Sequence, residues 1–123
     1  MIKRNLKNDV NLQEIKNIIF RDLDDLVAKE EEIDLGKKIG SGASSEVFYG
    51  NFKFCPCAVK KIKLGMMNGK QLSFIINEIA CLKKLRHPNV VMMIGVVIDE
   101  EDNLLIITEL CEQESIKKFL SKF

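Results

Sequence analysis

Two kinds of hydrophobic spacing divide this chain. Near its start Leu12, Ile15, Ile19, Leu23 and Leu26 recur at three- and four-residue steps, which places them on one face of a helix. Asn11 and Glu14 ahead of them have capping-box spacing, with Asn in place of the usual Ser or Thr. Such a stripe needs a partner surface. The adjoining downstream domain, or an upstream domain, is the plain choice; a dimerising helix is the sharper one, although the stripe is short for a coiled coil.

From Ile33 the spacing changes to that of strands. Residues 33–39 and 46–52 read as two strands joined by a Gly/Ser-rich turn, and residues 57–63 as a third. A second helical stripe comes next, Leu72, Ile75, Ile79, Leu82 and Leu85. It stops at Arg86-His87-Pro88, because proline disfavours helical geometry in the residue before it. Apolar strands over 90–98 and 103–110 flank an acidic turn at 99–102, and a last helical start occupies 115–123. Three strands, a helix and two strands predict an α+β fold with an antiparallel sheet.

Composition narrows the function more than the fold. A chain of 123 residues, 46% hydrophobic and 30% charged, fits one small globular domain. Its net charge of +1 offers no electrostatic reason for a nucleic-acid partner. Lys3, Arg4 and Lys7 are not followed by the apolar block of a signal peptide. The longest apolar run, 90–98, is too short for a bilayer and is interrupted by Gly95. No membrane association is expected, and a cytoplasmic location is. Four cysteines include Cys55-Pro56-Cys57, but the spacing suits neither a zinc ribbon nor a finger and His87 is the single histidine. No metal site is expected; reduced thiols in a cytosolic domain explain the cysteines.

Three features carry chemistry. Gly40-Ser41-Gly42-Ala43-Ser44-Ser45-Glu46-Val47 lies between two strands, where glycine lets the backbone approach a phosphate and backbone N–H groups can bind its oxygens. Gly/Ser hairpins are also common as plain turns, and a Rossmann fingerprint would open a helix instead. Strand alternation puts Ala58 and Lys60 on one face, a small residue beside a cation; an edge lysine pointing to water is the ordinary alternative. Glu78 falls within about 60° of Ile75, Leu82 and Leu85 on a helical wheel. A buried carboxylate there needs a cation, and Lys60 is the natural partner.

Together these residues resemble the protein-kinase signature set. Gly40-x-Gly42-x-x-Ser45-x-Val47 resembles the glycine-rich loop, Ala58-Val59-Lys60 the strand with the phosphate-binding lysine, and Glu78 its ion-pair partner on the regulatory helix. His87-Pro88-Asn89-Val90-Val91 and Gly95-Val96 resemble the path into the fourth strand. The stretch from Leu105 to Cys111 resembles the fifth strand and hinge, with Thr108 as gatekeeper. Ser115 to Leu120 is similar to the start of the first large-lobe helix, and the wording of 90–95 is similar to the tyrosine-kinase-like serine/threonine group.

The resemblance implies a small lobe: a five-stranded antiparallel sheet with one regulatory helix over 33–123, preceded by an extension over 1–32. It implies ATP as ligand, with Ile39, Val47 and Ala58 around the adenine and the backbones of Glu109 and Cys111 at its edge. Gly40, Ser41, Gly42, Ala43, Ser44 and Ser45 would lie along the phosphates, Lys60 would hold them, and Glu78 would position Lys60. Leu82 and Met93 would belong to the regulatory spine, and His87 would be structural. Ser45 stands where the family's third glycine is expected. Nothing in the chain resembles the H-R-D loop, the D-F-G magnesium motif or the A-P-E segment, so a lobe inactive alone is expected. Mg2+ would bind only in an intact parent, whose protein substrate stays open. The alternative is a truncated lobe that works as a binding or regulatory module. Without a large lobe, an apolar underside from Val47 and Ala58 past Thr108 to Leu82 and Met93 is expected to be exposed. The stripe of Leu12, Ile15, Ile19, Leu23 and Leu26 could cover part of it, and otherwise self-association or a partner that supplies the missing floor is expected.

Overall fold

The structure, a computed structural model, describes residues 11–42, 45–84 and 93–110, and their side chains other than those of 82–84. The expectations for Ala43, Ser44, Leu85, His87, Cys111 and the helix over 115–123 lie outside the described residues, as does the side chain of Leu82.

The first stripe is a helix, α1, Leu12–Asp22. Asn11 caps it: the Glu14 N–H donates to Asn11 Oδ1 at 2.8 Å, which satisfies one of the donors a helix start leaves open. The helix ends at Leu23, so Leu26 is not part of the helical stripe as its spacing suggested. The chain there turns extended instead. The Ala28 N–H donates to the Val96 carbonyl and the Val96 N–H to the Leu26 carbonyl, each at 2.8 Å, and Val27 bridges Val96 in parallel.

Five strands come in the expected order: β1, Ile33–Ser41; β2, Ser45–Phe52; β3, Cys55–Lys63; β4, Met93–Ile98; and β5, Asn103–Glu109. The helix α2, Gly69–Lys84, connects β3 to β4. The sheet is antiparallel with spatial order β1-β2-β3-β5-β4. β2 and β3 join through Lys53 and Phe54, both at positive φ (50° and 69°), the backbone of a tight hairpin turn more often occupied by Asn-Gly. Asp99 organises the β4–β5 turn by accepting from the Glu101 and Asn103 N–H groups, each at 2.9 Å.

Period-two alternation gives the sheet two buried faces. On one, Ile62, Leu104, Ile106, Val96 and Met93 pack with Leu72, Ile75 and Ile79 of α2 and with Ile15, Ile19 and Leu23 from the α1 region. On the other, Cys57, Val59, Leu105, Ile107 and Val97 pack with Ile33 and Phe52. The sheet curls far enough to lay the Phe52 ring on Gly95, where a Cβ would come within 3.1 Å of it. The α1 stripe therefore packs on the adjoining downstream domain, the first of the possible partners. A Lys16–Asp102 ion pair ties the helix to the β4–β5 turn as well. Each isoleucine buried this way contributes about 1.5–3 kcal/mol in water-transfer terms. Among the described residues no helix is long and apolar enough to cross a membrane.

Candidate functional site

The glycine-rich segment forms the turn between β1 and β2, closed by the Gly42 N–H donating to the Ser45 carbonyl at 2.8 Å. Ile39 and Gly40 are half-buried, while Ser41 and Gly42 are exposed at the tip. Strand pairing aligns the residues beyond the turn: Ser45 lies opposite Ile62, Val47 opposite Lys60, and Ala58 opposite Thr108. Residues directly opposite in an antiparallel pair share a face, so Ser45, Val47, Ala58, Lys60 and Thr108 all project toward the α2 side of the sheet.

That face is closed. Lys60, Val47, Ala58 and Thr108 have no exposed surface, and Met93 retains 7%. The Thr108 hydroxyl donates to the Ala58 carbonyl at 3.4 Å. The bare apolar underside expected at Val47, Ala58, Thr108 and Met93 is not found at those four residues. Met93 is covered because α1 and α2 pack over that end of the sheet.

Lys60 is buried, not solvated as an edge lysine would be, and it is not without a partner. Glu78 is half-buried on α2, between the buried Ile75 and Ile79. Among the described residues no ion pair joins Lys60 to Glu78. The wheel placed the carboxylate beside the apolar stripe correctly but overstated its burial, and a carboxylate partly in water does not require a buried cation. Glu109 ends β5 opposite Cys57 and is exposed.

Electrostatics around the hairpin come from Glu46, whose carboxylate pairs with Lys38 across β1 and β2 at 2.7 Å. The Lys38 hydrogen bond holds its pKa below the usual carboxylate value, with Lys63 and Lys61 adding a smaller pull. Burial pushes the Cys57 thiol up, with a contribution from Cys55, so it is a poor nucleophile. Among the described residues no cluster of three metal-ligating side chains is formed.

One feature escaped the sequence. A cleft of about 440 Å³ opens between the glycine-rich hairpin and the start of α2, lined by Ser41, Gly42, Ser45, Lys63, Met67 and Gln71 among others. Asn68 and Gln71 form a reciprocal cap there, each backbone N–H bonded to the other's side chain at 2.9 Å. The Asn68-x-x-Gln71 spacing was the available signal. Ser45 is 4% exposed, and among the described residues its Oγ is the buried side-chain polar atom left without a hydrogen-bond partner. Such an orphan costs about 1–3 kcal/mol.

Comparison with known proteins agrees with this geometry. The family model for protein tyrosine and serine/threonine kinases matches residues 33–123. The chain is 35% identical over 101 residues to the probable serine/threonine-protein kinase SIS8 of Arabidopsis thaliana, covering 82% of this chain and 10% of that one. It is 38% identical to a probable serine/threonine-protein kinase of Dictyostelium discoideum (85% and 10%). It is 36% identical to the RAF proto-oncogene serine/threonine-protein kinase of Xenopus laevis (69% and 13%). The chain thus spans about a tenth of the length of these relatives. With a five-stranded antiparallel sheet, a helix between its third and fourth strands and these matches, the chain belongs to the protein tyrosine and serine/threonine kinase family.

Proposed function

We propose that this chain is the nucleotide-binding lobe of a serine/threonine protein kinase that, in an intact parent, transfers the γ-phosphate of ATP to protein hydroxyl groups. The observation that carries this is Lys60: a lysine without exposed surface, beside Val47, Ala58 and Thr108, next to a hairpin of small residues. A cation withdrawn from water needs negative partners. Lys60 already has a partner in the structure, and a polyphosphate is a ligand that such a buried cation can also hold; the orphaned Ser45 hydroxyl on the same face suits an acceptor-rich ligand too.

In this proposal Lys60 holds the α- and β-phosphates, and Glu78 orients Lys60 once α2 brings it within reach. The glycine-rich loop lies over the phosphates. Ile39, Val47 and Ala58 enclose the adenine, Thr108 bounds its pocket, and the backbones of Glu109 and Cys111 bind its edge. Magnesium, when bound in an intact kinase, neutralises phosphate charge through catalytic-loop and D-F-G residues that this sequence does not contain. An extension over 1–32, a kinase domain over 33–123 and a cytoplasmic setting belong to the same proposal.

Titration of the 123-residue chain with a fluorescent ADP analogue tests it. Saturable binding is expected, weakened about tenfold or more in a folded Lys60→Met variant, because a charge-assisted contact is lost. The chain alone should transfer no phosphate to a generic protein substrate. Binding indifferent to Lys60→Met, or turnover that this variant abolishes, would overturn one half of the proposal or the other.

A further inference from the structure

Ser45 occupies the place of the family's third glycine, and its surroundings give the substitution a use. Its backbone does not demand glycine, since the positive-φ residues among those described are Lys53, Phe54 and Asp102. Its side chain points to the same sheet face as Val47 and Lys60. Lys60 is its diagonal neighbour, because Ser45 pairs with Ile62 two residues further along β3. Diagonal neighbours on one face lie about 7–8 Å apart.

Two independent observations point to a ligand. The hydroxyl is buried and unpartnered, although nearly all buried polar groups in folded proteins are paired. Ser45 also lines the cleft of about 440 Å³ at the hairpin, where Lys63 contributes a positive charge and Glu46, paired with Lys38, a negative one. A serine hydroxyl is a donor, and a phosphate oxygen is an acceptor of high charge.

We propose that Ser45 is a phosphate-sensing residue of the nucleotide site: its hydroxyl donates to a phosphate oxygen, a side-chain contact that glycine at this place could not make. The proposal rests on the nucleotide-binding reading above. Its consequence is a stronger preference for charged nucleotides over the bare nucleoside.

Calorimetric titration of the 123-residue chain and its Ser45→Ala and Ser45→Gly variants with magnesium-free ADP and with adenosine separates the possibilities. Ser45→Ala is expected to weaken ADP about tenfold and leave adenosine unchanged, with Ser45→Gly behaving alike for ADP. Without nucleotide, Ser45→Ala should melt at the wild-type temperature or above it, because no partner is lost. Equal ADP affinity in wild type and Ser45→Ala, the result if only water meets the hydroxyl, overturns the proposal. So does an equal loss for ADP and adenosine, or a lower melting temperature for unliganded Ser45→Ala. Wild-type protein that binds neither ligand would sink the nucleotide-binding reading itself, a result distinct from a wild type that binds ADP through other groups.

Discussion

The two edges of the sheet are protected in opposite ways. β4 is covered: residues 26–28 hydrogen-bond along it, and α1 packs Ile15 and Ile19 into the core beneath. β1 is open. Past Ile33 most of it is exposed, its pairing with β2 slips on either side of Lys38, and Asp34, Lys37 and Lys38 line it. Irregular pairing and charge are the usual defence of a free edge. The contrast teaches where rigidity lies. The segment ahead of β1 is part of the core, whereas the glycine-rich hairpin hangs from the open edge strand.

The largest expected effect of this asymmetry is on stability. Ile15→Ala or Ile19→Ala should cost about 2–5 kcal/mol, as for other fully buried large-to-small changes. Leu35→Ala on the open strand, where the side chain is 42% exposed, should stay within about 0.5 kcal/mol. Urea denaturation measures both, and similar costs would show that the extension is not built into the core. Next in size is Ala28→Pro, which removes the donor to the Val96 carbonyl and should cost about 1–3 kcal/mol. Hydrogen exchange at the Val96 amide should quicken while the amides of β3 keep their protection; uniform quickening would mean global rather than edge-local loosening.

The smallest effect belongs to the open side. Glu46 titrates below its ordinary value because of Lys38, so its folded pKa is depressed relative to the unfolded chain. The pair's contribution is therefore present above the unfolded pKa and fades as pH falls through the lower folded one. Lys38→Ala should raise the Glu46 pKa in an NMR titration, with little change in stability at neutral pH. An unmoved pKa would assign the shift to other groups.

The sheet was legible because its signals are local. β5 lies between neighbours, and its run of Leu and Ile marks it directly, while β2 is marked by the Gly/Ser-rich turn before it. The face of α1 was legible through Ile15, Ile19 and Leu23, but not its end. Leu26 fits the helical period by coincidence, and nothing nearby announces that it pairs with a strand far along the chain. The same limit applies to the site. Alternation put Lys60 on the face of Ala58, whereas the half-burial of Glu78 depends on how α2 lies against its neighbours. Cover of Met93 by the α1 stripe was one of the outcomes its spacing left open, and packing in three dimensions decided it.

The parallel bridge between Val27 and Val96 also constrains the order in which the molecule assembles. Helix α1 leaves the ribosome well before the strand it must dock beside, which is made roughly seventy residues later. The β1–β2–β3 meander, whose pairings join near neighbours in sequence, can form in the meantime. Until β4 is made, Ile15, Ile19 and Leu23 remain without their shelter, and that interval is when the nascent chain most needs protection from aggregation.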